Sequence, residues 1–125
     1  MKAVLKNYRQ SPRKVRLVTN LIKGKRVDDA MAYLAYANKR AGGPISKLLE
    51  SAVANAKARD IDTTNLIVKD ARVDAGATLK RARPRSRGMS SPIKKRTSQV
   101  TLELAQGVQN AKLKVKNKKA KSENS

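Results

Sequence analysis

Residues 79–98 read LKRARPRSRGMSSPIKKRTS, with eight basic side chains and no acidic or aromatic residue. Pro84 and Pro92 enclose a glycine and three serines. Because the segment contains few apolar residues, it cannot form a hydrophobic core of its own. Taken alone, it is compatible with a flexible basic linker or with an ordered limb that binds a polyanion.

The sequences on both sides of this segment favour an ordered limb. Apolar residues alternate with polar ones from Val73 to Leu79, and again from Val100 to Leu104. A period of two is typical of strands that bury one face. We therefore predict two antiparallel strands that continue outward into the basic segment, with Gly88 as a turn residue between them.

The predicted hairpin presents basic side chains at short intervals. Arms of about eight residues would reach about 25 Å. Arginine forms bidentate contacts with phosphate and stacks on bases, whereas only 2% of the chain is aromatic. We therefore expect contacts with the backbone and shape of a nucleic acid, without base-stacking readout. The basic residues predicted to make these contacts are Lys80, Arg81, Arg83, Arg85, Arg87, Lys94, Lys95 and Arg96.

Three amphipathic helices are predicted upstream of these strands. The first begins at Pro12, after the favourable N-cap Ser11, and ends at Gly24. The second covers about residues 27–38, and the third begins at Pro44. Their apolar stripes are Val15, Val18, Leu21 and Ile22, then Val27, Ala30, Met31, Leu34 and Ala35, then Ile45, Leu48, Leu49, Ala52, Val53 and Ala56.

The order of elements predicts the fold class. A short strand over residues 2–8 precedes the helices, and the two longer strands follow them. This order indicates an α+β domain in which three helices pack on a small antiparallel sheet. We expect one domain over residues 1–110 and a lysine-rich flexible tail over residues 111–125.

The first predicted helix begins with basic residues, although positive charge at that end opposes the helix dipole. A bound anion would accept hydrogen bonds from the free backbone N–H groups and from these side chains. The alternative is a helix with a basic solvent-exposed face. We favour phosphate binding. The residues predicted for this surface are Arg9, Ser11, Arg13, Lys14 and Arg16, extended by Lys23, Lys25 and Arg26.

Composition indicates the class of partner and excludes several kinds of catalytic chemistry. The net charge is +21, from 30 basic and 9 acidic residues, which points to a polyanionic partner. The chain has no cysteine and no histidine, so thiol chemistry and the commonest general base are excluded. The only close acidic pairs, Asp28 with Asp29 and Asp60 with Asp62, fit a helix start and a turn. We expect no enzymatic activity, no metal site and no cofactor.

Two further expectations concern membranes and tyrosines. No run of about 18 apolar residues is present, and the first residues lack an apolar stretch of the kind found in secretory signals. Tyr8, Tyr33 and Tyr36 are expected in the core or at its edge rather than as stacking platforms.

Three motifs carry a family resemblance. They occur in order over about residues 2–104. The first is SPRKVRLVTNLIKGK, the second is LLESAVANAKAR followed by LIVKDARVDAG, and the third is LKRARPRSRG with IKKRTSQVTLEL. They resemble the bacterial-type large ribosomal subunit protein twenty-two family. The resemblance implies three helices, three strands and a very long β-hairpin. It also implies a cytoplasmic, non-enzymatic constituent of the large ribosomal subunit that binds 23S ribosomal RNA and supports assembly.

The same resemblance implies a place for the hairpin. Its tip would line the nascent-peptide exit tunnel, with the nascent polypeptide, ribosomal RNA and neighbouring large-subunit proteins as partners and no homo-oligomer. The implied tip residues are Arg85, Ser86, Arg87, Gly88, Met89, Ser90 and Ser91. The competing class is a DNA-architectural protein that inserts basic arms into the minor groove. A membrane-active cationic protein is disfavoured because the hairpin lacks an apolar face.

Overall fold

The structure is a computed structural model that describes residues 1–107. The strands are β1 (Lys2–Tyr8), β2 (Leu66–Ala75), β3 (Leu79–Pro84), β4 (Ser90–Lys95) and β5 (Ser98–Gln106), and the helices are α1 (Pro12–Ile22), α2 (Val27–Tyr36) and α3 (Gly42–Lys57). The predicted α+β class and element order are confirmed. The expected domain boundary at residue 110 and the expected tail over residues 111–125 lie outside the described residues.

A three-stranded antiparallel sheet in the order β1-β5-β2 forms the platform of the domain. Val100, Leu102 and Leu104 on the central strand are buried, as their alternation predicted. They pack with the helices in one core that also contains Val73. The helices therefore cover one face of the sheet, and the alternate residues of β5 are only partly exposed on the other.

Helices α1 and α2 bury narrower stripes than the sequence predicted. Val15, Val18 and Ile22 are buried, whereas Leu21 is 48% exposed, because it lies about 100° around the helix from Ile22. The predicted burial of Leu21 is therefore wrong. Ala35 is also exposed, and the buried residues of α2 are Ala30 and Leu34.

Two predicted helix boundaries differ from the structure. Helix α2 ends at Tyr36 rather than near residue 38, and Tyr36 is 90% exposed, so its expected place in the core or its edge is wrong. Helix α3 begins at Gly42 rather than at Pro44. Proline is tolerated there because N–H groups in the first turn have no intrahelical partner. The predicted stripe of α3 is otherwise confirmed, with Val53 only partly buried.

The basic segment forms a separate two-stranded hairpin of β3 and β4, so the predicted limb is ordered. Each arm has six residues and spans about 20 Å, shorter than the 25 Å expected. The strands do not continue directly from the central sheet. Ala77 is exposed and lies outside any strand, so the predicted alternation through that residue is interrupted.

A short joint links the hairpin to the sheet. The Gly76 N–H donates a hydrogen bond to the Thr97 carbonyl (2.9 Å), and Thr97 Oγ1 donates one to the Ala77 carbonyl (2.6 Å). A side chain at position 76 would collide with Thr97 Oγ1. Glycine at position 76 therefore allows the segments around Gly76 and Thr97 to approach each other closely at this joint.

The far end of the hairpin is a tight turn over Arg85–Met89. Arg87 (φ 58°) and Gly88 (φ 68°) are in the left-handed region, and the Arg85 N–H donates a hydrogen bond to the Met89 carbonyl (2.7 Å). Ser90 and Ser91, which the sequence grouped with the tip, lie on β4 opposite residues of β3.

Candidate nucleic-acid interface

An open groove of about 890 Å³ lies where the hairpin leaves the domain, and we call it the root groove. Six of its eight lining residues are basic, and they come from three separate parts of the chain. The lining residues are Arg9, Gln10, Ser11, Lys14, Arg40, Lys94, Lys95 and Arg96. All but Gln10 and Arg40 were predicted from the sequence as binding residues.

Hydrogen bonds between distant segments assemble the root groove. The fully buried Ser98 donates from Oγ to the Gln10 carbonyl (2.5 Å), which fixes the start of β5 against the loop between β1 and α1. The Tyr8 hydroxyl donates to the Arg40 carbonyl (3.5 Å), which draws the loop between α2 and α3 to the same place. Arg40 thereby joins cations that are far from it in sequence.

The start of helix α1 provides further hydrogen-bond donors beside the root groove, which Ser11 lines. The Ser11 carbonyl accepts hydrogen bonds from the N–H groups of Lys14 (3.1 Å) and Val15 (3.2 Å), and Ser11 is the N-cap residue as predicted. Its hydroxyl does not cap the helix. Within residues 1–107 the Ser11 hydroxyl and the Arg13 N–H have no hydrogen-bond partner, so both are available to an anion at this end.

Gln10 adds a polar group that the fold leaves unsatisfied. Its Oε1 is buried and has no hydrogen-bond partner among the described residues. An unsatisfied buried acceptor costs about 1–3 kcal/mol.

The register of the hairpin places like charges side by side. Lys80 lies directly opposite Lys94, and side chains directly opposite one another share a face. Such a pair is destabilising unless an anion lies nearby. Arg81 and Arg83 fall on the other face, with partly buried Ile93 opposite Arg81. Hence both faces of the hairpin present positive charge.

The predicted row of guanidinium groups is only partly regular. Arg81 and Arg83 alternate along β3, and Arg85 follows in an extended conformation. Arg87 leaves the row because it lies in the left-handed turn at the tip. Every side chain from residue 80 to residue 90 is exposed.

A second set of cations has partners within the fold, and we call these the paired cations: Arg16, Lys23, Lys25 and Arg26. The Arg16 guanidinium donates from Nε (3.2 Å) and Nη2 (2.9 Å) to the Val73 carbonyl, which ties α1 to β2. Lys25 Nζ lies 3.9 Å from the centroid of the Tyr33 ring. Lys23 pairs with Asp70 (3.4 Å) and Arg26 with Asp28 (3.6 Å).

The cations of the root groove have no such partner within residues 1–107, and of the hairpin cations only Arg81 donates a hydrogen bond, to the adjacent Lys80 carbonyl (2.9 Å). Across residues 1–107 the ion pairs involve Lys23, Arg26 and Arg72, and none involves a cation of the groove or hairpin. The acids of the described chain likewise form no cluster of three or more that could hold a metal ion. No described helix is long and apolar enough to cross a membrane.

Comparison with known proteins identifies the family. The profile of the family described as Ribosomal protein L22p/L17e matches residues 3–105. The chain belongs to this family. The large ribosomal subunit protein uL22 of Desulfitobacterium hafniense (strain DSM 10664 / DCB-2) is 52% identical over 102 residues, covering 81% of this chain and 90% of the relative. The uL22 protein of Staphylococcus haemolyticus (strain JCSC1435) is 47% identical over 112 residues, covering 89% and 96%.

The L22p/L17e match contains every residue of the root groove and the whole hairpin. It confirms the family resemblance that the three sequence motifs indicated. The family is one of ribosomal structural proteins rather than enzymes, in agreement with the absence of histidine and cysteine from the chain.

Proposed function

We propose that this member of the L22p/L17e family binds large-subunit (23S) ribosomal RNA through its root groove and its β3–β4 hairpin. Its family makes it a structural constituent of the large ribosomal subunit, with a cytoplasmic location. The observation that supports RNA binding most is the convergence of six cations from three chain segments at a groove where none of them forms an ion pair within residues 1–107.

Electrostatics explains why such a groove suits RNA. Each cation that contacts a phosphate releases condensed counterions, and this release supplies most of the affinity of basic proteins for nucleic acids. A cation already paired with an acid contributes less, because the acid repels the phosphate. The unpaired cations of the groove and hairpin therefore supply the largest part of the binding free energy.

RNA rather than DNA is favoured by the family, whose relatives are named as large ribosomal subunit proteins. Phosphates of an RNA in the root groove would contact Lys14 and Arg96. The same binding would relieve the repulsion between Lys80 and Lys94, so the RNA supports the folded hairpin and the hairpin supports subunit assembly.

The shape of the hairpin supports a role for its tip in the nascent-peptide exit tunnel. The hairpin is a ribbon two strands wide and about 20 Å long that extends from the domain. The tip residues Ser86 and Gly88 are small and exposed, as is Ser90 at the start of β4. In this arrangement the arms contact RNA, and the tip is left to line the tunnel and meet the nascent polypeptide. The globular domain meets neighbouring large-subunit proteins.

Competition binding of the full chain tests the RNA proposal. Labelled 23S-type ribosomal RNA is displaced at fixed salt by the same RNA unlabelled or by duplex DNA of equal phosphate content. We expect the RNA to be the better competitor. Equal or better competition by duplex DNA would support a DNA-architectural protein instead.

Photo-crosslinking in assembled ribosomes tests the place of the tip. A photoreactive amino acid at Met89, which is 69% exposed at the tip, should crosslink to a nascent polypeptide. The same group at Val4, which is 44% exposed on β1, is the control and should not. Crosslinks from Met89 to RNA alone would contradict a tip at the tunnel wall.

A further inference from the structure

Helix α2 presents two tyrosines to solvent. Tyr36 is 90% exposed and Tyr33 is 49% exposed, and neither hydroxyl forms a hydrogen bond within the described part of the chain. Only three aromatic residues occur in the whole chain. A ring as exposed as that of Tyr36 contributes little to the core, so its position calls for a different explanation.

Cations lie near the two rings in space or in sequence. Tyr33 and Tyr36 are three residues apart on one helix and are therefore neighbours on its surface. Lys25 Nζ lies 3.9 Å from the centroid of the Tyr33 ring. Lys39 and Arg40 follow the helix directly, and Arg40 lines the root groove. Tyr36 therefore lies only four residues along the chain from a residue that lines the groove.

The acidic residue on this face lies at the other end of the helix. Asp29 precedes Tyr36 by seven residues, which is about 10 Å along the axis. Asp28 is paired with Arg26. The end of the helix that bears Tyr36 therefore has cations next to it in sequence and suits a ligand that combines phosphates with an apolar flat surface.

We infer that Tyr36 is a stacking platform for an unpaired base of the RNA whose backbone lies in the root groove, with Tyr33 and Lys25 at the edge of the platform. This inference rests on the proposed function. Aromatic rings beside a cationic groove bind single-stranded segments by stacking, and every base offers a face to them. A base within a continuous duplex is stacked on both sides, so the base that reaches Tyr36 is unpaired.

Affinity measurements on the full chain with transcribed 23S-type ribosomal RNA provide the first test. Tyr36→Ala should weaken binding by roughly tenfold, the usual loss for one stacked base. Tyr36→Phe should retain the affinity because the ring remains. Val4→Ala, which truncates another exposed apolar side chain, is the matched control and should have no effect. Unchanged affinity of Tyr36→Ala would overturn the inference.

Salt dependence separates stacking from charge. The Tyr36→Ala variant should show the same slope of log Kd against log salt as the unmodified chain, because no cation is removed. A reduced slope would mean that the substitution had disturbed phosphate contacts, and it would overturn the assignment of Tyr36 to a base.

Fluorescence reports the contact directly. The chain contains no tryptophan, so Tyr36→Trp gives emission from this position alone. Saturating ribosomal RNA should quench that emission, whereas inorganic polyphosphate, which has no bases, should not. Equal responses to both ligands, or none to RNA, would overturn the inference.

The outcomes for Tyr36 and for the proposed function are distinguishable. If substitution of Lys94, Lys95 and Arg96 weakens RNA binding while Tyr36→Ala does not, only the stacking inference fails. If the unmodified chain shows no preference for ribosomal RNA over duplex DNA, the proposed function fails and the inference fails with it.

Discussion

The root groove and the paired cations look alike in the sequence but differ in the structure. Both contain lysines and arginines from basic stretches of the sequence, and the sequence gives no reason to rank one above the other. In the structure, the groove gathers cations from three segments, none of which forms an ion pair within residues 1–107. Arg16 bonds a carbonyl, Lys25 lies on a ring, and the other two contact aspartates. We therefore propose that unpaired charge marks the binding surface better than the count of charges does.

The contrast between the two sets is one of degree. The paired side chains Lys23 and Asp70 are 43% and 50% exposed, and surface pairs of this kind contribute about 0–1 kcal/mol. A phosphate could therefore displace such a pair at a small cost. We expect the paired cations to add modestly to RNA binding and the groove to dominate it.

The largest effect is expected from neutralising the groove. The triple variant Lys94→Ala, Lys95→Ala and Arg96→Ala should weaken binding to 23S-type ribosomal RNA by about 100-fold at low salt, because three phosphate contacts are lost. A filter-binding titration measures this change. The control is Lys57→Ala, Arg59→Ala and Lys69→Ala, which removes three exposed cations elsewhere. Equal losses in the two variants would mean that total charge, not the groove, determines affinity.

A smaller effect is expected when the groove keeps its charge but loses its shape. Gly76→Ala would collide with Thr97 and displace the hairpin from the domain. Overpacking of this kind costs about 1–3 kcal/mol in the free energy of unfolding. We also expect RNA affinity to fall by about tenfold, which corresponds to 1.4 kcal/mol. Denaturant unfolding and RNA titration measure the two quantities.

Gly43→Ala is the matched control for that joint, because a side chain at Gly43 would meet no atom within 4 Å. It should change neither quantity by much. If Gly76→Ala binds RNA as well as the unmodified chain, the position of the hairpin relative to the groove is unimportant.

The smallest effect on RNA is expected at Arg16, despite its charge. Its guanidinium bonds the Val73 carbonyl, so Arg16→Ala should lower the free energy of unfolding by about 1.5 kcal/mol, the lower value for a hydrogen bond to a charged group. RNA affinity of the folded protein should change by less than about threefold. Arg13→Ala, which removes an exposed neighbour on the same helix, should leave stability unchanged. A larger loss of RNA affinity in Arg16→Ala than in Arg13→Ala would place Arg16 among the binding residues.

Local patterns in the sequence predicted much of this fold. Strand β5 was predictable because strict alternation through Val100, Leu102 and Leu104 is compatible with only one buried face. The exposure of Leu21 was not predictable, because a helix residue beside the apolar stripe is buried only if a neighbouring element packs against it. Tyr36 was misplaced for a similar reason, since an aromatic residue near an apolar run is usually part of the core.

The sequence predicted six of the eight residues that line the root groove. The basic residues around the start of α1 and at the end of β4 stand out as runs, whereas Arg40 lies in a neutral part of the chain. Its carbonyl contacts Tyr8, which is 32 residues away. The ion pairs also cannot be predicted from local sequence, because Lys23 contacts Asp70 only when β2 packs beside α1. Both features depend on tertiary contacts that no local pattern specifies.

The salt dependence of RNA binding by two triple variants tests the central claim most directly. One variant replaces Lys94, Lys95 and Arg96 by alanine, and the other replaces Lys23, Lys25 and Arg26. Each lost phosphate contact lowers the slope of log Kd against log salt by about one. We predict that the groove variant lowers the slope by about two to three and the paired variant by less than about one. Equal slopes for the two variants, or the larger change in the paired one, would contradict the claim that unpaired cations at the root groove hold the RNA.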